Sequence, residues 1–128
     1  MGKRNKNSSL DTEVLGAILE KVSEKKSLSP DWLASTAIFD DWNTGYTLIQ
    51  AVSGNMSAAE GMQANMLPDA QVKIMIPGGV EILDDSGEWQ KGEGDRTARA
   101  WMIALLKALI ANSNYSASLR GGALNAKG

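Results

Sequence analysis

The longest hydrophobic segment of the chain runs from Asp95 to Asn112, and its pattern predicts a buried helix. After Arg99 its only charged residue is Lys107, so most of the helix circumference would be apolar. Ala, Leu and Met, which are strong helix formers, fill much of the segment, and Asp95 can cap its first turn. A helix that is apolar on nearly all sides is buried in a core or against a partner. We therefore expect this helix to be the centre of the fold.

The N-terminal part of the chain predicts a first helix that begins at Asp11 or Thr12 and ends near Lys26. Its apolar residues repeat with the spacing of one helical face. They are Val14, Leu15, Ile18, Leu19 and Val22. The charged residues Glu13, Glu20, Lys21 and Glu24 lie off that face, as expected for a helix with one buried side.

Ser29 and Pro30 predict the start of a second, short helix, with Ser29 as the cap and Pro30 at the first helical position. Residues 35–39 fit either a continuation of that helix or an extended segment. Residues 40–45 are rich in turn formers and are predicted to be a loop. The alternating residue types of 46–52 predict a strand.

A helix and a group of strands are predicted between residues 57 and 90. Ser57 and Glu60 have the spacing of a capping box, which predicts a short helix to about Met66. Pro77-Gly78 suits the centre of a type II turn and therefore a hairpin. Three strands are predicted around it and after it: 71–76, 80–83 and 88–90.

The order of these elements predicts an α+β fold. A small antiparallel sheet of three or four strands would pack against helices, with the long C-terminal helix buried across it. The 128 residues suit one domain, which we expect to occupy residues 10–112. Residues 1–9 are polar and basic and are predicted to be disordered. Residues 113–128 are rich in Ser, Asn, Ala and Gly and are predicted to form a flexible tail.

Composition limits the chemistry that the chain can perform. It contains no cysteine and no histidine, which excludes disulfides, thiolate nucleophiles and the commonest general base and metal ligand. No EF-hand loop, P-loop or dinucleotide-binding fingerprint is present. We therefore predict no catalytic residues, no metal ligands and no cofactor. A basic start without a following apolar segment predicts no signal peptide, and the long helix is shorter than the roughly 20 apolar residues that span a bilayer.

Charge is strongly segregated along the chain. Residues 1–9 hold three bases and no acid, residues 10–95 hold all fifteen acids and five lysines, and residues 96–128 hold five bases and no acid. Basic ends of this kind indicate an acidic partner. The ends fit equally well a fold in which they neutralise the acidic middle, and both interpretations remain open.

Two acidic pairs, Asp40-Asp41 and Asp84-Asp85, lie in predicted loops. Convergent carboxylates bind Mg²⁺ or Ca²⁺, so a carboxylate-dependent metal enzyme is one hypothesis. Adjacent Asp residues in a turn more often bond to their own backbone, which is the interpretation that we favour for both pairs.

Four tryptophans are many for a chain of this length. Trp32 and Trp101 lie in predicted helices and are expected in the core. Trp42 and Trp89 lie near loop and strand edges, where an aromatic side chain can anchor a protein partner.

Residues 57–112 have the predicted order helix, three strands, helix, and this order resembles the double-stranded RNA-binding domain. Gly92-Glu93-Gly94 precedes Arg96 and Arg99, as a Gly-rich turn precedes the basic start of the last helix in that family. The resemblance implies that the first helix, the turn between the first two strands and the basic start of the last helix contact RNA by shape. We name the candidate contacts Lys73, Lys91, Arg96 and Arg99. Eight acids against five bases in this segment predict weak binding.

In size, element order and polar tail, the whole chain resembles the small accessory proteins of the cores of enveloped double-stranded RNA bacteriophages, the cystoviruses. That resemblance implies a capsid assembly and RNA-packaging role, in the virion core or the host cytoplasm; otherwise a cytoplasmic protein is expected. Our leading hypothesis is a non-enzymatic assembly module, self-associating as a homodimer or bound to protein partners, without a membrane. The alternative is a nucleic-acid-binding domain that uses Arg96, Arg99 and the basic ends.

Overall fold

The computed structural model of the chain describes residues 11–26, 28–36, 38–39, 42–75 and 79–127, with the side chains of Trp42 and of 119–127 left aside. Within these residues, four helices come first in the chain, three consecutive strands follow, and one long helix comes last. The elements are α1 (Thr12–Ser23), α2 (Pro30–Thr36), α3 (Trp42–Val52), α4 (Met56–Met66), β1 (Val72–Met75), β2 (Gly79–Leu83), β3 (Trp89–Glu93) and α5 (Thr97–Lys127). The predicted α+β class is confirmed.

The three strands form an antiparallel sheet in the order β1-β2-β3. Helix α5 packs on one face of this sheet, over β2 and β3, and α1, α3 and α4 pack against α5. Trp101, Leu105 and Leu109 of α5 are buried in the resulting core, so the predicted central role of this helix is confirmed.

The closest approach between sheet and helix lies at Gly92 of β3. A Cβ atom placed on Gly92 would overlap the backbone of Ala100 and would lie 2.6 Å from the backbone nitrogen of Ala104. Real Cβ atoms do not approach backbone this closely, so the strand lies directly on the helix only because position 92 has no side chain.

A buried polar chain joins α4 to α5. The indole Nε1 of Trp101 donates to Oε1 of Gln63 at 3.0 Å, and Nε2 of Gln63 donates to the carbonyl of Leu67 at 2.7 Å. Gln63 therefore satisfies the buried Trp101 N–H and a carbonyl just after the end of α4. This contact fixes the start of the segment that leads into β1.

Residues 46–52 are helical, in contrast to the predicted strand, and part of the predicted loop 40–45 belongs to the same helix α3. The buried residues Leu48, Ala51 and Val52 are three and four positions apart, which is helical spacing. The helix ends at Val52 and is followed by Gly54, whose φ of 117° is favourable only for glycine. Its N–H donates to Ala51 and the N–H of Asn55 donates to Gln50, which is a Schellman cap.

Four helix boundaries also differ from the predictions. Helix α1 ends at Ser23 and not near Lys26. Helix α4 is capped by Asn55, whose side chain accepts from the N–H of Ala58, and not by Ser57. Helix α5 begins at Thr97, two residues after Asp95. It continues to Lys127, whereas the predicted tail was to begin after Asn112. The predicted disorder of residues 1–9 lies outside the described residues.

The turn between β2 and β3 is organised by the carboxylate of Asp84. Its Oδ1 accepts from the backbone N–H groups of Ser86 and Glu88 and from the Ser86 hydroxyl, and its Oδ2 accepts from the side chain of Gln90. Burial opposes ionisation, but the bonds from Ser86, Gln90 and Glu88 together outweigh it and hold the pKa of Asp84 below its usual range. Asp84 is therefore a turn residue, as favoured from the sequence.

We predict that Gly92→Ala destabilises the fold by about 3 kcal/mol, the upper part of the usual range for overpacking, because the new methyl group must push β3 away from α5. Gly16→Ala is the matched control, since a Cβ at Gly16 in α1 meets no atom within 4 Å. That variant should gain about 0.5–1 kcal/mol from lower chain entropy. Denaturant unfolding of both variants checks this, and equal stabilities would contradict the proposed close contact.

The lowered pKa of Asp84 predicts an acid-sensitive turn. Its ionised form stabilises the fold above the ordinary pKa of 3.8, and this stabilisation is lost as the pH falls through the lower pKa of the folded state. Asp84→Asn should therefore cost about 1–3 kcal/mol at neutral pH and flatten the acid limb of a plot of stability against pH. The exposed neighbour offers the control Asp85→Asn, which should follow the parent protein throughout. An unchanged acid limb in Asp84→Asn would show that other carboxyl groups determine it.

Candidate interaction surface

Strand β1 lies at one edge of the sheet, and its hydrogen bonds with β2 determine which of its backbone groups point outwards. Leu83 donates its N–H to the carbonyl of Gln71, and the register pairs Lys73 with Glu81. In an antiparallel ladder the backbone groups point alternately towards the partner and away from it. The N–H and C=O groups of Val72 and Ile74 therefore point away from β2, towards the outside of the sheet.

Apolar side chains are exposed along this same strand. Ile74 is 46% exposed and Met75 is 37% exposed. Ile74 pairs with the buried Val80 and so points to the face on which α5 lies, but α5 covers β2 and β3. The result is a short edge strand with outward-pointing backbone groups and two exposed apolar side chains, which we call the β1 edge (Val72–Met75).

Charged side chains lie along the opposite edge of the sheet, at β3. The ammonium group of Lys107 on α5 donates to the carbonyl of Lys91 at 2.8 Å. The ammonium of Lys91 lies 3.3 Å from the carboxylate of Glu93. An open cleft of about 500 Å³ lies here between α1, β3 and α5, lined by Ser23, Lys91, Glu93, Ile103 and Lys107. A strand that approached this edge would have to displace Lys107 from the backbone.

Lys73, the one charged residue of β1, is directed away from the β1 edge. Its ammonium nitrogen lies 4.2 Å from the centre of the Trp89 ring on β3, across the outer face of the sheet. A cation over an indole face is held by about 0.5–1 kcal/mol at an exposed site. Lys73 and Trp89, predicted as an RNA contact and as a protein anchor respectively, therefore contact each other.

Arg99 joins the start of α5 to the end of α1. Its side chain is only 16% exposed, and its Nη1 donates to the carbonyl of Val22 at 3.2 Å. A cation at a helix C-terminus is favourable because the last carbonyls carry partial negative charge. The same carbonyl accepts from the N–H of Lys25, which has the left-handed φ of 62°.

Asp95 lies between two of these cations. Its carboxylate is 3.4 Å from the ammonium of Lys25 and 3.6 Å from Nε of Arg99. Desolvation raises the pKa of Asp95, but the charge of Lys25 and a hydrogen bond from it, with a smaller effect of Arg99, lower it below the usual range. Asp95 was predicted to cap α5; its carboxylate instead helps to bind α1.

The four predicted RNA contacts lie in different surroundings. Lys73 lies over Trp89, Lys91 is paired with Glu93, and Arg99 is bonded to α1. Arg96 is exposed, and its side chain lies against Gly54, where a Cβ would be 3.0 Å from its Cδ. The structure therefore does not place the four bases on one open basic surface.

The order α4-β1-β2-β3-α5 and the antiparallel sheet agree with the order that suggested an RNA-binding domain. In that resemblance the first helix would touch RNA, yet the only charged residue of α4 is Glu60. The turn at residues 76–78, a further expected contact, lies outside the described residues. The order of elements is shared, whereas the basic contact residues are not.

No group of three acidic residues that would hold a metal ion occurs within the described ranges. Asp84 is committed to its turn. Asp40 and Asp41 lie outside the described residues, as does the side chain of Trp42.

The β1 edge was not predicted as a site. The sequence predicted a strand at residues 71–76, but it did not show that this strand lies at an edge of the sheet that α5 does not cover. The one available signal was that four of the five residues at 72–76 are apolar, with Lys73 as the single charged residue among them.

No helix in the part of the chain that the structure describes is both long and apolar enough to cross a membrane. No family model matches the chain, and no significant match was found among curated proteins or solved structures. The function must therefore be argued from the surface itself.

Proposed function

We propose that the protein is a non-enzymatic assembly module that associates with another protein chain by strand addition at the β1 edge. The observation that carries this proposal is the exposure of Ile74 and Met75 beside the outward-pointing backbone groups of Val72 and Ile74. An extended segment placed there would form backbone hydrogen bonds and cover the apolar side chains.

The contrast between the two sheet edges supports the same proposal. Proteins commonly protect an edge strand from pairing with a charged side chain, most often lysine. Lys107 does so at β3 by bonding to the carbonyl of Lys91. At β1 the only lysine is drawn over Trp89 on the sheet face, so that edge is left open to a partner.

A role in a viral core, suggested by the resemblance to cystovirus accessory proteins, is compatible with such a module. The basic residues described above offer few open phosphate contacts. RNA contact in a packaging role would therefore come from the assembly, which raises the effective concentration of weak sites held near the nucleic acid.

We predict that the purified protein self-associates with rising concentration and that Ile74→Lys reduces this association strongly. A lysine at the edge places a hydrated charge where a second strand would pack. Because the interface of a short strand lies at the small end of protein interfaces, association should be weak and is best measured by sedimentation equilibrium at high protein concentration.

Met56→Lys is the matched control, since Met56 is 38% exposed, much like Ile74, but lies at the start of α4. It should associate like the parent protein, and thermal unfolding of all three proteins checks that they remain folded. Equal effects of the two lysine substitutions on association would contradict the proposed function, whereas a parent protein that stays monomeric would contradict self-association through the β1 edge.

A further inference from the structure

The strand that pairs with the β1 edge is, we infer, β1 of a second copy, antiparallel and centred on Ile74, so that two three-stranded sheets become one sheet of six strands. This inference rests on the proposed function and specifies its partner and register. A strand that pairs with itself across a two-fold axis presents the same residues from both sides.

The backbone phase permits this pairing. Because the N–H and C=O of Ile74 point outwards, two Ile74 residues placed opposite each other exchange both of their hydrogen bonds across the axis. Two copies related by an axis perpendicular to the sheet also keep their α5 helices on the same side. The exposed Ile74 side chains would then cover each other on that side.

Charge selects this register over its neighbour. Centring the axis on Lys73 would place two lysines directly opposite each other, in the narrower type of pair with Cα atoms about 4.5 Å apart. Centring it on Ile74 places Lys73 opposite Met75 of the second copy. The contact between Lys73 and Trp89 further draws each ammonium group towards β3 of its own chain and away from the axis.

The β3 edge would limit the assembly to two copies. In a six-stranded sheet both outer strands are β3, and each carries Lys107 on the carbonyl of Lys91. A third copy would find no open edge, so the product is a closed dimer and not a fibre.

Single cysteines test the register directly, because the chain contains no cysteine of its own. Ile74→Cys should form a disulfide-linked dimer under mild oxidation, since the expected Cα separation of about 5.5 Å lies in the range that disulfides span. Its rate should exceed that of Met56→Cys at least roughly tenfold, because pairing raises the effective thiol concentration.

A mixture of Lys73→Cys and Met75→Cys gives the second measurement. Each of these variants alone should crosslink slowly, whereas the mixture should form a mixed dimer readily, since positions 73 and 75 face each other across the axis. Rapid crosslinking of Lys73→Cys alone would place the axis on Lys73 and overturn the register. Association that depends on Ile74 without any crosslink at 73–75 would overturn the self-pairing but leave the assembly module standing.

The part played by Trp89 has its own test. Trp89→Leu frees Lys73 to reach the edge, and we predict a dimer several-fold weaker than that of the parent, measured by sedimentation equilibrium. Adding Lys73→Met to that variant removes the freed charge and should restore the parent affinity. Unchanged affinity in Trp89→Leu, or no restoration in the double variant, would contradict the inferred effect of the Lys73 contact.

Discussion

The contact between Gly92 and the backbone of α5 determines which parts of the sheet are covered. It places the helix axis over β2 and β3, where Val80 and Ile82 are fully buried. A helix with its side chains is about 10–12 Å wide, and neighbouring strands are about 4.8 Å apart. One helix so placed covers two strands of three, and the exposure of Ile74 on β1 follows from that geometry.

Of the two arginines that gave the last helix its nucleic-acid-like appearance, Arg99 serves the packing of this helix, and so does the lysine Lys107. Arg99 bonds to the end of α1, and Lys107 bonds to the edge of β3. Of the two interpretations of the segregated charge, neutralisation of the acidic middle by a basic end accounts for the pair of Arg99 with Asp95. Cations used in this way are desolvated or paired, which leaves less positive surface for phosphate than the sequence count implies.

Much of the fold was predictable because local patterns and tertiary packing agree there. The hydrophobic run that contains Trp101 and Leu105, the strands on either side of residues 76–78, and the turn role of Asp84 all rest on signals within a few residues. The helix α3 was missed because 46–52 is short and apolar, so alternation and helical spacing fit it about equally. Its burial against α4 and α5 decided the outcome, and such contacts cannot be read from local sequence.

The β1 edge could not be predicted from the sequence either, because it too depends on tertiary contacts. Lys73 and Lys107 are the same residue type, and both were counted as positive charge. The structure gives them opposite effects on the sheet edges, because Lys107 bonds to an edge carbonyl while Lys73 lies over an indole ring on the face. A sheet edge is blocked to a further strand when a lysine donates to its backbone carbonyl, and it is accessible when the lysine contacts another group. What distinguishes the two lysines is thus the position of their partners, which depends on strand order and on the placement of α5 by Gly92.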